Sequence, residues 1–377
     1  MAGIYLHIPF CKKRCIYCDF YSTTSSKKKN DYIKSLCKEL KIKKDYLNHE
    51  EINTIYFGGG TPSQLSFNDF NQIFQTINNY YNVNSKAEIT LEANPDDLTE
   101  EYLNSISKLP FNRISMGIQT FNDETLSLIN RRHNAQQAID AFHRCRNYGL
   151  NNISIDLIYG LPGETLESWN KDLDIAINLR PEHISAYHLI YEEGTKLHKL
   201  REENKVKEAD EDLSNILFEN LIKRLKDSGY IHYEISNFSL PDKHSRHNSG
   251  YWTGMKYLGC GPSAHSYNGK ERQWNISSLD KYINGINNNQ NISEVEYLDL
   301  YTRYNDFIIT SIRTIWGMSL ETLKSEYGEN MYNYCLKMAY PHIKRGKLTI
   351  ENNTLKLTHE GIFISDGIMS DLLWVEE

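Results

Sequence analysis

Through the first half of the chain, short apolar runs alternate with longer stretches of helical periodicity. The runs GIYLHIPF (3–10), TIYFGGG (54–60), AEITLEA (87–93), RISMGIQ (113–119), NISIDLIYG (152–160) and HISAYHLI (183–190) predict six strands. Amphipathic segments at 67–80, 122–148 (one helix or two) and 165–178 predict helices between them. Parallel neighbours need a crossover connection, so six strand-then-helix units in succession predict a parallel sheet. Six are too few to close an eight-stranded barrel. The predicted fold is therefore α/β, an open partial (β/α)6 TIM-like barrel. Polar residues gather where the runs end, at Gly58 to Thr61, Glu92, Gln119 and Asp156. In barrels of this kind, ligands sit at the C-terminal ends of the strands.

After about residue 200 the pattern changes. EADEDLSNILFENLIKRLKDSGY predicts a long helix stopped at Gly229, followed by loop-rich chain to about 295. Helices are expected near 298–315, 319–326 and 329–345, then a hairpin in KLTIENNTLKLT turning at Asn352–Asn353, then a last helix from Glu360. The expected domains are a barrel over 1–235, a linker over 236–295 and a smaller α+β, winged-helix-like domain over 296–377.

Composition narrows the function classes. With 377 residues and 40% apolar content the chain can fold around a large core. No segment is long or apolar enough to span a bilayer, and residues 1–10 lack a secretory pattern, so a cytoplasmic protein is expected. The formal charge of −7 favours neither nucleic acid nor a membrane surface. The lysine-rich 27–44 stretch has Tyr32, Leu36 and Leu40 near helical spacing, which predicts a solvated helix face. Seven cysteines, an odd number, argue against a disulfide framework in a reducing compartment. Cys37, Cys145, Cys260 and Cys335 are scattered and are expected to be buried structural thiols.

Cys11, Cys15 and Cys18 are different: they stand as C-x3-C-x2-C in HIPFCKKRCIYCDF (7–20). Structural zinc takes four ligands and usually two C-x2-C pairs. Here only His7 and Asp19 are near enough in sequence to serve as a fourth. A cubane iron–sulfur cluster normally takes four thiolates, and with three, one iron keeps an open position. In this the chain resembles the radical S-adenosylmethionine (SAM) family. That resemblance implies a [4Fe-4S] cluster on the three cysteines, with the amino and carboxylate groups of SAM on the fourth iron. It further implies SAM contacts at the positions that match the family's motifs. These are Gly59, Gly60 and Thr61 of YFGGGTPS, Glu92 of TLEANP, Gln119 of SMGIQTFN, Arg131 of LINRRH and Asp156 of SIDLIYGLPGET. Tyr5 and Tyr17 match aromatics beside the cluster.

Taken together, HIPFC, GGGTP, SMGIQ and IDLIYGLP resemble the oxygen-independent coproporphyrinogen III dehydrogenases and a closely related haem-chaperone branch. The dehydrogenases carry a further cysteine two residues after the third, where this chain has Phe20, and a longer segment ahead of the cluster. RHNSGYW (246–252) matches an H-N-x-x-Y-W motif of the chaperone branch. Histidine is a common axial ligand of haem iron, which makes His247 the haem candidate, with Tyr251 and Trp252 shaping its pocket and His265 and Cys260 as substitutes. The resemblance thus implies a protein that binds haem and hands it to haem-dependent proteins. The alternative is a dehydrogenase, in which reductive cleavage of SAM would start the oxidative decarboxylation of two propionates. Whether the chain is an enzyme stays open between these two. A homodimer and transient contact with membrane-bound haem proteins stay open too.

Overall fold

The computed structural model describes residues 2–375. Six strands, β1 (Ala2–Ile8), β2 (Ile52–Gly59), β3 (Val83–Ala93), β4 (Arg113–Gln119), β5 (Ile153–Tyr159) and β6 (His183–His188), lie side by side in chain order. All five pairings among them are parallel. The helices Lys29–Ile42, Phe67–Tyr80, Glu100–Ile106, Ala135–Asn147 and Leu166–Leu179 connect them. Starts are written locally: Ser66 with Asp69, Asn134 with Gln137 and Thr165 with Ser168 each close a reciprocal capping pair.

Each strand alternates. Ile4, Leu6, Ile8, Ile55, Phe57, Leu91, Ile114, Met116, Ile155 and Leu157 all turn to the helices and form the main core. The residues between them, among them Tyr5, His7, Tyr56, Glu92, Ser115 and Asp156, turn to the opposite, inner face. Side-chain period two therefore separates a dry outer layer from a polar interior. Pairing stacks the interior in levels. Gly3, Thr54 and Glu88 share the lowest, Tyr5, Tyr56 and Thr90 the next, and Glu92 is in register with Ser115 above.

The expected linker over 236–295 is corrected by the structure. The hairpin β7 (Ile231–Glu234) and β8 (Asn237–Ser239) adds antiparallel to β6. Strand β9 (Lys256–Cys260) adds parallel to β1, followed by β10 (His265–Tyr267), β11 (Glu271–Asn275) and β12 (Ser293–Tyr297), giving a sheet of 12 strands. These strands are only three to five residues long, too short to write a distinct apolar run. A buried carboxylate holds the wing instead. Glu39, on the helix Lys29–Ile42, accepts from Gly261 N (2.8 Å), Asn275 Nδ2 (2.7 Å) and the Tyr282 hydroxyl (2.6 Å), with Lys43 at 3.2 Å. The outermost strand, β12, carries Glu294 and Glu296 with Val295 and Tyr297 among its exposed side chains.

The barrel unit thus runs to Tyr297, and two units replace the expected three. The second has its own core around Tyr304, Ile308, Leu323, Met331, Leu355 and Ile368. Its long helix Leu320–Lys344 breaks at Gly328 (φ 84°), matching the two helices expected there. Strands β13 (Met318–Ser319), β14 (Leu348–Glu351) and β15 (Thr354–Leu357) form a small sheet. Asn352 and Asn353 have φ of 49° and 59°, the two positive values that a tight two-residue hairpin loop requires. The unit docks on the barrel where Ile315 N donates to Tyr233 O at 2.9 Å and Arg313 meets Glu234 at 2.7 Å. Among the described residues no helix is long and apolar enough to cross a membrane.

Candidate cofactor-binding rim

The C-terminal ends of the parallel strands open into a cavity of about 490 Å³. Cys11, Cys15, Tyr17 and Cys18 line one wall; Gly59, Gly60, Thr61, Glu92, Gln119, Arg131 and Asp156 line the rest. Eleven of the thirteen residues singled out in the sequence therefore meet in one place. Tyr5 and His247 do not line it.

The cysteine loop is set from several sides. Thr61 Oγ1 donates to Cys11 Sγ at 3.3 Å, and Arg131 Nη1 to Cys15 Sγ at 3.4 Å. Arg131 Nη2 also donates to Asn94 Oδ1 (2.7 Å) and to the Gly117 carbonyl, while its buried Nε has no partner among the described residues. A Cβ on Gly60 would stand 2.8 Å from Ile8 O and 3.1 Å from Cys11 Sγ, and one on Gly59 (φ +106°) 2.7 Å from the His7 ring. Only glycine lets the β2 end pass this close to the thiols. Asp97 anchors the base of the loop. It accepts from Lys12 (2.8 Å), Arg132 (2.9 Å), Ser63 (2.9 Å) and Gln64 (2.6 Å). Burial opposes its charge, but these donors win and hold Asp97 below the usual carboxylate range.

Two carboxylates face the cavity from within the barrel. Glu92 accepts from the Tyr56 hydroxyl at 2.8 Å and from Gly59 N at 3.2 Å. Burial, reinforced by nearby Asp156, still raises it to about 7. Asp156 is raised to about 6 by burial, against hydrogen bonds from Ser185 and Ser115. Gln119 ends β4 at φ 79°, an unfavourable conformation outside glycine, and strain of this kind concentrates at ligand sites.

The donor set fits a cluster. Burial pushes Cys11 and Cys18 up, the latter to about 11, so metal binding would have to draw their protons off. Among the described residues, no three His, Cys, Asp or Glu side chains gather as on a single metal ion. A cubane engages each thiolate through a different iron, so it does not need that convergence. The carboxylates, glycine passage and unpartnered Arg131 Nε fit SAM, whose sulfonium and ammonium are cationic and whose carboxylate, ribose and adenine offer hydrogen-bonding groups.

The RHNSGYW segment departs from expectation. It is a helix, Arg246–Trp252, held by Thr54 and Glu88 at the lowest level of the barrel interior, away from the cysteines. His247 is 1% exposed, with Nδ1 2.8 Å from Thr54 Oγ1 and Nε2 2.9 Å from the Tyr251 hydroxyl. Burial drops it to about 3, so the ring is neutral, but neither nitrogen is left for iron. Trp252 lies under the Arg313 guanidinium at 4.1 Å, packed on the second unit. Cys260 is buried in the main core. His265 is exposed beside Trp274 (ring centroids 6.1 Å), and its ring nitrogens have no hydrogen-bond partner among the described residues. Cys145 and Cys335 are buried as expected, whereas Cys37 is half-buried.

Sequence reasoning missed Tyr56, Asn94 and Asp97. Tyr56 lies inside the quoted strand TIYFGGG, and only strand alternation would have marked it as inward-facing. Asp97 follows a strand end in NPDD, which resembles any turn.

The Radical SAM superfamily pattern matches residues 5–176, and the HemN C-terminal domain pattern matches 298–364. Among solved structures, coproporphyrinogen III oxidase (HemN) from Escherichia coli, described as a radical SAM enzyme, superposes with a TM-score of 0.85. At 22% identity over 98% of this chain and 89% of that one, the two share a fold. The heme chaperone HemW of Lactococcus lactis subsp. lactis is 31% identical, covering 98% of this chain and 96% of its own. HemW of Buchnera aphidicola subsp. Schizaphis graminum is 35% identical, covering 98% of each. The chain belongs to the heme chaperone HemW family of radical SAM proteins.

Proposed function

We propose that the protein is a cytoplasmic haem chaperone that carries a [4Fe-4S] cluster on Cys11, Cys15 and Cys18, binds SAM in the cavity beside it, and passes haem to haem-dependent proteins. The observation that carries the cofactor half is the meeting of three thiols with Glu92, Asp156, Gln119 and Arg131 around one cavity. The haem half is supported by the names of the full-length relatives. A bound cluster would supply one-electron chemistry and an open iron position. The chain's own part is to bind and orient. Arg131 places a positive charge against Cys15, Gly59 and Gly60 leave room beside Cys11, and Glu92 and Asp156 offer negative charge to a cationic ligand.

For the axial ligand, His265 replaces His247 in this proposal, because its ring is exposed and unbonded where that of His247 is enclosed. Partial desolvation of the ring and then nearby Arg272 lower its pKa, which favours the neutral imidazole that can bind iron.

Anaerobic reconstitution followed by parallel assays tests the proposal. About four irons and four sulfides per chain are expected, lost when the three cysteines become alanine. Haem titration should give a Soret band that His265→Ala shifts or weakens. Tetrahedral zinc in place of iron would sink the cluster assignment. Turnover of coproporphyrinogen III by the unmodified protein would put the dehydrogenase alternative first. A Soret band and haem affinity unchanged in His265→Ala would remove that histidine from the haem site.

A further inference from the structure

The RHNSGYW helix stands at the far end of the barrel from the cysteines, yet a stack of rings joins it to the rim. The His247 ring lies on Tyr56 with centroids 5.0 Å apart and planes at 25°. Tyr5 stacks on both, 6.1 Å from Tyr56 and 6.4 Å from His247. The Tyr56 hydroxyl then donates to Glu92 Oε1, whose carboxylate borders the cavity. His247 is itself fixed. Thr54 and Tyr251 hold its two nitrogens, and Glu88 accepts from the backbone of Arg246 (3.1 Å) and His247 (3.0 Å) at the start of the helix.

We infer that His247 is a positioning residue of the cofactor site: its ring fixes Tyr56, and Tyr56 fixes the Glu92 carboxylate toward the cavity. The histidine of the motif then serves SAM rather than haem, acting through a neighbour it touches. Tyr5, which also misses the cavity wall, takes its place in the same stack. Asn248, one residue along the helix, lines the cavity, so the helix meets the site a second time. This inference rests on the proposal that SAM occupies the cavity.

SAM and haem affinities of the reconstituted protein, measured side by side by titration calorimetry and absorbance, test it. In His247→Ala the SAM Kd should rise about tenfold, while haem affinity stays within twofold and the cluster absorbance is retained. Tyr56→Phe should weaken SAM to a similar degree, and the double variant should be little worse than either single one, since both act on one carboxylate. His247→Phe keeps a ring on Tyr56 and should recover most of the SAM affinity; it also keeps the core filled should the alanine variant not fold. Parent-like SAM binding by folded His247→Ala overturns the inference, as do fully additive losses in the double variant. Loss of haem with SAM binding intact returns His247 to the haem site. A parent protein that binds no SAM overturns the proposed site and this inference together.

Discussion

At one end of the barrel, three thiols and two carboxylates surround an open cavity, with Phe20 and Ile190 left 63% and 62% exposed at its wall. At the other, His247, Thr54, Glu88 and Tyr251 satisfy one another by hydrogen bonds. Both ends carry residues with ligand-binding chemistry, and both are marked by family-like motifs. They differ in what remains unspent. The rim keeps raised carboxyls and, among the described residues, an arginine nitrogen without a partner. The plug's histidine has used both nitrogens, although Ser249 Oγ and Trp252 Nε1 on the same helix are also unpartnered among the described residues. A residue type suggests a ligand only where its bonding capacity is left over.

The largest expected effect breaks the rim. Asp97→Ala would strand the Ser63 and Gln64 donors and free Lys12, while Arg132 keeps Asp96 at 2.7 Å, so unfolding in urea should show a loss of about 3 kcal/mol. Iron content after reconstitution should fall as well, because the cysteine loop loses its anchor. A change under 1 kcal/mol would mean that the loop is held by its thiols and backbone alone.

The next sharpens the rim's open chemistry. Glu92 and Asp156 hold their protons to about 7 and about 6, above the ordinary 4.5 and 3.8. Between those values the folded chain binds more protons than the unfolded one, so these groups weaken the empty fold as pH rises from about 4 to about 7. A cationic ligand needs them ionised, so its affinity must rise across the same window. SAM should bind about tenfold more weakly at pH 5.5 than at pH 8, read by calorimetry on the reconstituted protein. A flat profile would remove the carboxylates from the site.

A smaller effect probes the plug. Thr54→Val leaves His247 Nδ1 unsatisfied within the buried interior and should lower stability by about 1–3 kcal/mol in denaturant. Iron content should be unchanged. If iron falls with it, the two ends are not separable. The smallest is Phe20→Ser, at an exposed position, where stability should change by less than about 0.5 kcal/mol. Equal melting temperatures would check this, and a large drop would show that Phe20 is packed.

Much of the architecture was legible because outward-facing Ile, Leu and Phe write apolar runs into all six parallel strands. Six rim residues, Gly59, Gly60, Thr61, Glu92, Gln119 and Asp156, were legible for a related reason: strand ends bring their side chains to one edge. The three cysteines were legible from their spacing, and Tyr17 and Arg131 only through the family resemblance. The wing from β9 to β12 was not, since its strands are short and its anchor, Glu39, lies more than two hundred residues away on another element. The orientation of His247 was not either. Whether RHNSGYW faces solvent or Thr54 depends on where the helix docks, and its own seven residues do not encode that. Tyr56 was hidden in plain view, a polar-tipped ring within a strand read only for its apolar content.

An open sheet, unlike a closed barrel, has two ends. At one, Glu234 of β7 bridges to Thr314, so the second unit covers that end. At the other, β12 offers free backbone groups, but its side chains include Glu294 and Glu296, the latter paired with Arg272 at 3.2 Å. A second molecule adding its own β12 there would set carboxylates beside carboxylates. Val295 and Tyr297, 44% and 79% exposed, would otherwise make this strand a seed for fibre growth. Two glutamates thus guard the colloidal stability of a protein whose incomplete barrel leaves it an edge to defend.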